Sequence, residues 1–247
     1  MSLIIRNLSK QFNNSDENTL QNVNLEIKSG EFVCVVGSSG CGKSTLLNMI
    51  AGLEKPTSGE IILDEQEITE PGSDRIVMFQ EHGLFPWLNV IDNVKFGMKM
   101  HGVPKEEQEK KAEHYLKLVN LYDYKDYPIH QLSGGMRQRT ALARALTMDS
   151  KILLMDEPFA SLDKQTSNRL REELQRIWMQ TKRTIFFITH SVEEAIYLAD
   201  RVVVLSPDTH SIKDIISINL ERPRHVYSPE FTELRHIVLE EVRGEAV

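Results

Sequence analysis

Apolar runs of five or six residues recur along the second half of the chain, and between them apolar positions fall at the three-to-four spacing of helices. EFVCVV at 31–36 is a continuous apolar run closed by Gly37, the pattern of a strand covered on both faces. KILLMD (151–156), RTIFFIT (183–189) and RVVVLS (201–206) have the same β-rich character. The stretches DKQTSNRLREELQRIWMQ and SVEEAIYLAD lie between them and read as helices, as does the segment from Lys43 to about Gly52. Strands alternating with helices predict an α/β fold with a mostly parallel sheet and crossover connections. Ahead of this, LIIRNL (3–8) and VNLEI (23–27) read as short strands joined by a polar turn, and GEIILDEQEI as a strand and turn. Residues 104–120 are rich in helix formers, with Pro104 placed to start the helix. No strong strand falls between about 88 and 148, which reads as a helical insert. The final forty residues combine a candidate strand, DIISINL, with a polar tail. The expectation is one domain: a catalytic core with a β subdomain over about 1–87 and 149–206, a helical subdomain over about 88–148, and a short extension over about 207–247.

Charge and cysteine content narrow what such a domain does. A net charge of −7 argues against a non-specific nucleic-acid binder. No apolar run approaches the ~18 residues of a membrane-spanning helix, and the first residues lack the long apolar core of a signal peptide. Cys34 and Cys41 have the spacing of neither a disulfide framework nor a zinc site, as expected of a protein from a reducing compartment.

The chemistry concentrates in three motifs. GSSGCGKST (37–45) follows the buried strand and precedes a helix, matching G-x-x-x-x-G-K-[ST]. Gly37, Ser38, Ser39, Gly40, Cys41 and Gly42 wrap backbone N–H groups around phosphates, and the helix end that carries Thr45 adds its positive dipole. Lys43 reaches the β- and γ-phosphates, and the Ser44 hydroxyl ligates Mg²⁺. ILLMDE (152–157) puts two acids after an apolar strand, so that Asp156 faces the metal and Glu157 the attacking water. In LSGGM (132–136), Ser133 caps a helix whose N-terminus is bared by Gly134 and Gly135. This second anion-binding helix end serves either a second phosphate or the nucleotide of a partner.

Taken together, these motifs resemble the ATP-binding subunit of ABC transporters over nearly the whole chain. GSSGCGKST is similar to the Walker A loop, ILLMDE to Walker B with its catalytic glutamate, and LSGGM to the family signature. SLD, with Ser161 and Asp163, resembles the D-loop; His190 the switch histidine; Gln80 the Q-loop glutamine; Phe12 the aromatic that stacks on adenine. The resemblance implies a P-loop NTPase (RecA-like) core with an antiparallel β subdomain and an α-helical insert. It implies a dimer, expected as a homodimer, in which each ATP lies between one Walker A loop and the partner's Ser133, Gly134, Gly135 and Met136. Ser44, Asp156 and Gln80 would position Mg²⁺ and the water, Glu157 would act as general base, and His190 would hold the γ-phosphate. Two positions depart from the common pattern: Met136 where Gln is commoner, and Phe12 where Tyr is. Neither is expected to abolish hydrolysis.

An isolated cassette, without fused spans, a tandem copy or a coiled coil, resembles those of bacterial importers with separate membrane permeases. FQEHGLFPWLNV, LSGGMRQR, DEPFASLD and ERPRHV resemble the nitrate/sulfonate/taurine importers in particular. Bicarbonate, thiamine-pyrimidine and riboflavin-precursor importers stand as alternatives, and an ATP-gated dimerisation switch with little turnover as another class. The expected partners are a second ATP-binding subunit, permease subunits through their coupling helices, and indirectly a solute-binding protein, at the cytoplasmic face of the cell membrane. Phe85 and Trp87, beside Pro86 on a loop, are the expected anchors for the permease.

Overall fold

In a computed structural model that describes residues 2–12, 17–79, 83–160 and 162–243, the chain opens with two long antiparallel strands, β1 (Ser2–Gln11) and β2 (Asn18–Lys28). Both run well beyond the apolar stretches that announce them. Register shifts interrupt the pairing between Ile5 and Gln11, and Asn7 and Asn22 take the left-handed conformation (φ 47° and 49°). Such bulges break the period-two alternation from which strand ends are read. Strand β3 (Phe32–Val36) and helix α1 (Lys43–Ala51) follow, with Gly52 closing the helix in the left-handed region. β4 (Ser58–Leu63) and β5 (Gln66–Glu67) complete an antiparallel sheet in the order β2-β1-β4-β5.

β6 (Arg75–Met78) leads into α2 (Val90–Met100), α3 (Lys105–Leu118) and α4 (Gly134–Thr147), and no strand of either sheet lies between β6 and β7 (Ile152–Asp156) among the described residues. α5 (Lys164–Thr181), β8 (Thr184–Ile188), α6 (Val192–Leu198), β9 (Arg201–Leu205), β10 (Ile212–Ser217) and α7 (Pro229–Arg243) finish the chain. The second sheet runs β10-β9-β3-β8-β7-β6, parallel except for the β9–β10 hairpin.

The continuous apolar runs are explained by the two sides of this sheet. Phe32, Cys34 and Val36 of β3 enter one core with the helices α2 to α7, whereas Val33 and Val35 enter a second core with α1 and the antiparallel sheet. β7, β8 and β9 divide their residues in the same way, as with Phe187 on one side and Phe186 on the other. A strand coated on both faces has no polar positions left to alternate. Cys34 and Cys41 are buried free thiols, one in each core.

Two elements were not evident in the sequence pattern. β6 has four residues, three of them only half-buried, at the edge of the sheet. α7 occupies what reads as a polar tail, yet Phe231, Leu234, Val238 and Val242 recur at helical spacing and pack on the larger core. The segment before α7 is tied down by Arg224, which is 4% exposed and donates to the carbonyls of Ile196, Ala199 and Ile218. Arg222 pairs with Asp200 at 2.7 Å and lies over the Trp178 ring. Met155 is buried in the larger core, whereas Met179 is 40% exposed on α5.

Candidate active site

The phosphate loop leaves the C-terminal end of β3 and feeds directly into α1. Gly42 caps α1 with φ 96°, no side chain caps the helix, and its first turn carries no acid. A Cβ on Gly42 would lie 2.8 Å from the Thr19 carbonyl, so glycine is required there for space as well as for dihedral. The first N–H groups of α1 and the positive end of its dipole therefore face the cleft without competition. Lys43 is 7% exposed, and its ammonium donates to the Gly37 and Ser38 carbonyls at 2.9 and 2.8 Å. Cys41 turns its thiol into the core, where its sulfur accepts from the Lys43 ammonium at 3.9 Å and burial pushes the thiol's pKa up.

A cleft of about 400 Å³ opens over the loop, lined by Ser39, Gly40, Gly42, Lys43, Ser44, Thr45, Thr19, Glu157 and His190. Thr19 comes from β2 of the other sheet, and nothing in its sequence context marks it. The Ser44 hydroxyl donates to Asp156 Oδ1 at 3.2 Å. β7, which carries Asp156, is separated from β3 by β8, so the acid reaches the loop across an intervening strand. Burial raises the Asp156 carboxyl above its ordinary range, the Ser44 bond lowers it, and the neighbouring Glu157 adds to the rise. Glu157 takes a left-handed backbone (φ 43°), with its N–H bonded to the Ile188 carbonyl at 3.0 Å. Strain of this kind in a non-glycine residue concentrates at functional positions. His190 Nδ1 lies 3.3 Å from Glu157 Oε2, bringing together residues 33 apart in the chain.

Ser133 caps α4 as expected, its hydroxyl accepting the Met136 N–H at 3.3 Å. Ser133, Gly134, Gly135 and Met136 are not among the residues that line the cleft of their own chain. The two glycines differ: a Cβ on Gly134 meets only Leu162 at 3.5 Å, whereas one on Gly135 would meet Thr166 Cγ2 of α5 at 2.6 Å. Met136 packs against the larger core. Asp163 caps α5, accepting the N–H groups of Gln165 and Thr166 at 3.1 and 3.0 Å, and the Thr166 side chain with these amides holds its carboxyl below the usual range. Phe12 follows β1, 40% exposed, with the Lys10 ammonium 4.8 Å from its ring centre. Gln80 and Ser161 lie outside the described residues.

The aromatic loop divides. Trp87 is 75% exposed, while Phe85 is half-buried against Phe96, ring centres 4.2 Å apart. Phe85 is part of the wall of an apolar groove of about 410 Å³ between β6, α2 and α4, which Phe79, Ala141 and Met148 also line. Asn93, which the sequence reading missed, is fully buried in α2. It holds the loop by accepting the Phe85 N–H at 2.8 Å and donating to the Phe85 and Asn89 carbonyls.

The model of the ABC transporter family matches residues 20–160. The chain is 49% identical over 249 residues to an uncharacterized ABC transporter ATP-binding protein of Methanocaldococcus jannaschii, covering all of this chain and 93% of that one. It is 50% identical over 201 residues to a nitrate import ATP-binding protein of Synechocystis, covering 81% and 76% of the two chains. Among solved structures, a dimeric ATP-binding cassette in a post-hydrolysis state bound to ADP and Pi superposes with a TM-score of 0.74 at 30% identity, over 89% of this chain and all of that chain. A phosphate loop that faces two acids and a histidine, on a fold shared with that cassette and with relatives along its full length, leads to one assignment: this chain belongs to the ABC transporter family.

Proposed function

We propose that the chain is the ATP-hydrolysing subunit of an importer, working as a dimer beneath separate permease subunits. The observation that carries the reading is the 3.3 Å contact of Glu157 with His190, set in one cleft with Lys43 and Ser44. The loop amides and the Lys43 ammonium, which now donates to carbonyls at the same place, bind the phosphates of ATP. Gly37, Ser38, Ser39, Gly40, Cys41, Gly42 and Thr45 form the cradle, and Phe12 stacks on the base. Glu157 accepts a proton from the attacking water while His190 holds it in line and donates to the γ-phosphate.

Ser44 Oγ and Asp156 Oδ1, 3.2 Å apart, are a hard-oxygen pair suited to Mg²⁺. Among the described residues no three His, Cys, Asp or Glu side chains cluster as a metal cage, which suits an ion that keeps waters and takes phosphate oxygens. Mg²⁺, when bound, neutralises charge developing on the phosphates; Ser44, Asp156 and Gln80 would hold it.

The signature residues Ser133, Gly134, Gly135 and Met136 complete the partner's site, since they do not line their own cleft. Asp163 and Ser161, as the D-loop, would face the partner subunit. Phe85 in the groove wall and the exposed Trp87, whose ring centre lies 5.5 Å from that of Phe85, receive the permease coupling helix. The solute is a small one, nitrate, a sulfonate or taurine, on the strength of the FQEHGLFPW loop and the similarity to a nitrate import protein. Among the described residues no helix is long and apolar enough to cross a membrane; the similarity to import ATP-binding proteins supports a peripheral place on the cytoplasmic face.

Glu157→Gln tests the reading. The variant should bind ATP, lose turnover by roughly a hundredfold or more, and accumulate as an ATP-bound dimer in gel filtration. Undiminished phosphate release would remove Glu157 as the base.

A further inference from the structure

The His190 side chain is 65% exposed, and its one hydrogen-bonding contact among the described residues is Glu157. With so little packing on the ring, its position depends on the backbone turn between β8 and α6 that carries it. That turn is built around Thr189, which is 2% exposed. Thr189 Oγ1 accepts the N–H of Ser191 at 2.9 Å and donates to Glu194 Oε2 at 2.6 Å. Ser191 in turn caps α6, its hydroxyl accepting the Glu194 N–H at 3.3 Å. In a simple capping box the glutamate of the first turn reaches back to the cap residue's own N–H. Here the Thr189 hydroxyl is inserted between the two, so the chain of bonds encloses the backbone of His190.

The other oxygen of the same carboxylate, Glu194 Oε1, accepts from the Ser167 hydroxyl of α5 at 3.3 Å. Two further bonds continue this seam: Arg171 to Glu193 at 2.8 Å and Gln175 to the Tyr197 carbonyl at 2.6 Å. Arg171 and Gln175 are both buried. Asp163 caps α5 and Ser191, next to His190, caps α6, so the seam joins the two helices whose first turns follow these residues.

We propose that Glu194 is a positioning residue for His190. Its carboxylate orders the Thr189 hydroxyl so that the lone pair, not the proton, faces the Ser191 N–H, and thereby closes the turn under the imidazole. Its second oxygen registers that turn against α5. Glu194 does not line the nucleotide cleft and acts only through Thr189 and the turn. This rests on the reading that His190 serves hydrolysis.

The test uses the full chain with Glu194→Ala, Thr189→Val, Glu194→Gln and Thr189→Ser. In Glu194→Ala and Thr189→Val, kcat for ATP hydrolysis should fall roughly ten- to hundredfold, as small misplacements of a reacting group do, with KM for ATP within about threefold. In the nucleotide-free chain, amide exchange at Ser191 should quicken by about tenfold in the same two variants. Glu194→Gln and Thr189→Ser, which keep an acceptor and a hydroxyl, should stay near wild type in both measurements. Wild-type exchange at Ser191 in Glu194→Ala overturns the inference whatever happens to hydrolysis. So does a kcat loss no larger than the loss of folded protein. Hydrolysis that survives Glu157→Gln would sink the catalytic reading alone, because the exchange measurement needs no nucleotide.

Discussion

Glu157 and His190 meet at 3.3 Å because β7 and β8 are neighbours in register, Asp156 opposite Ile188, so that the residues just past each strand end emerge side by side. His190→Ala should therefore lower kcat by about tenfold or more while leaving ATP affinity nearly intact. Phosphate release and equilibrium nucleotide binding, measured on the same preparation, check both halves.

The two signature glycines should behave differently. Gly134→Ala has room for its methyl and should fold normally, with any loss confined to hydrolysis in the dimer. Gly135→Ala pushes on Thr166 and should destabilise by about 1–3 kcal/mol. Adding Thr166→Ser removes the opposing methyl, and thermal denaturation should show most of that loss restored.

Trp87 and Phe85 should also separate. Trp87→Ala removes a ring that is mostly in water and should change stability by no more than about 0.5 kcal/mol. Phe85→Ala breaks the stack on Phe96 and should cost about 1–3 kcal/mol. Reconstituted transport should fail in the Trp87 variant although the isolated subunit's ATPase persists.

Glu173 on α5 gives a pH dependence with a definite sign. Burial raises its carboxyl above the ordinary range, while Arg139, the Asn120 amide at 2.8 Å and Arg176 pull it back. The folded chain thus holds this proton more tightly than the unfolded one. The contribution favours folding at low pH and turns unfavourable as pH rises from the unfolded carboxylate range through the raised folded value. Glu173→Gln, which keeps an acceptor for Asn120, should raise the melting temperature at neutral pH. The gain should shrink toward about pH 4, where model carboxylates protonate.

How far the sequence foretells this molecule depends on how local each signal is. The phosphate loop is legible because strand, glycines, lysine and helix are contiguous. The parallel sheet is legible because strands coated on both faces leave unbroken apolar runs. Thr19 could not be read in this way, since only the packing of the antiparallel sheet against α1 brings it to the cleft. Gly135 looks like a phosphate glycine, and the Thr166 methyl that also demands it lies on another helix. Asn93 looks like an ordinary helix residue until the loop it holds is in place. The edge strand β6 and helix α7 were missed for a different reason: each buries few residues, so its apolar signal is thin.

The chain's two tryptophans occupy opposite extremes, Trp178 at 4% exposure beneath the Arg222 guanidinium and Trp87 at 75% on the loop beside Phe85. Tryptophan emission, excited selectively over the tyrosines, therefore comes with its own spatial resolution. A water-soluble quencher reaches one tryptophan and spares the other, so the quenchable fraction of the light reports on that loop alone. The subunit carries an optical gauge of whatever settles there, with no label attached.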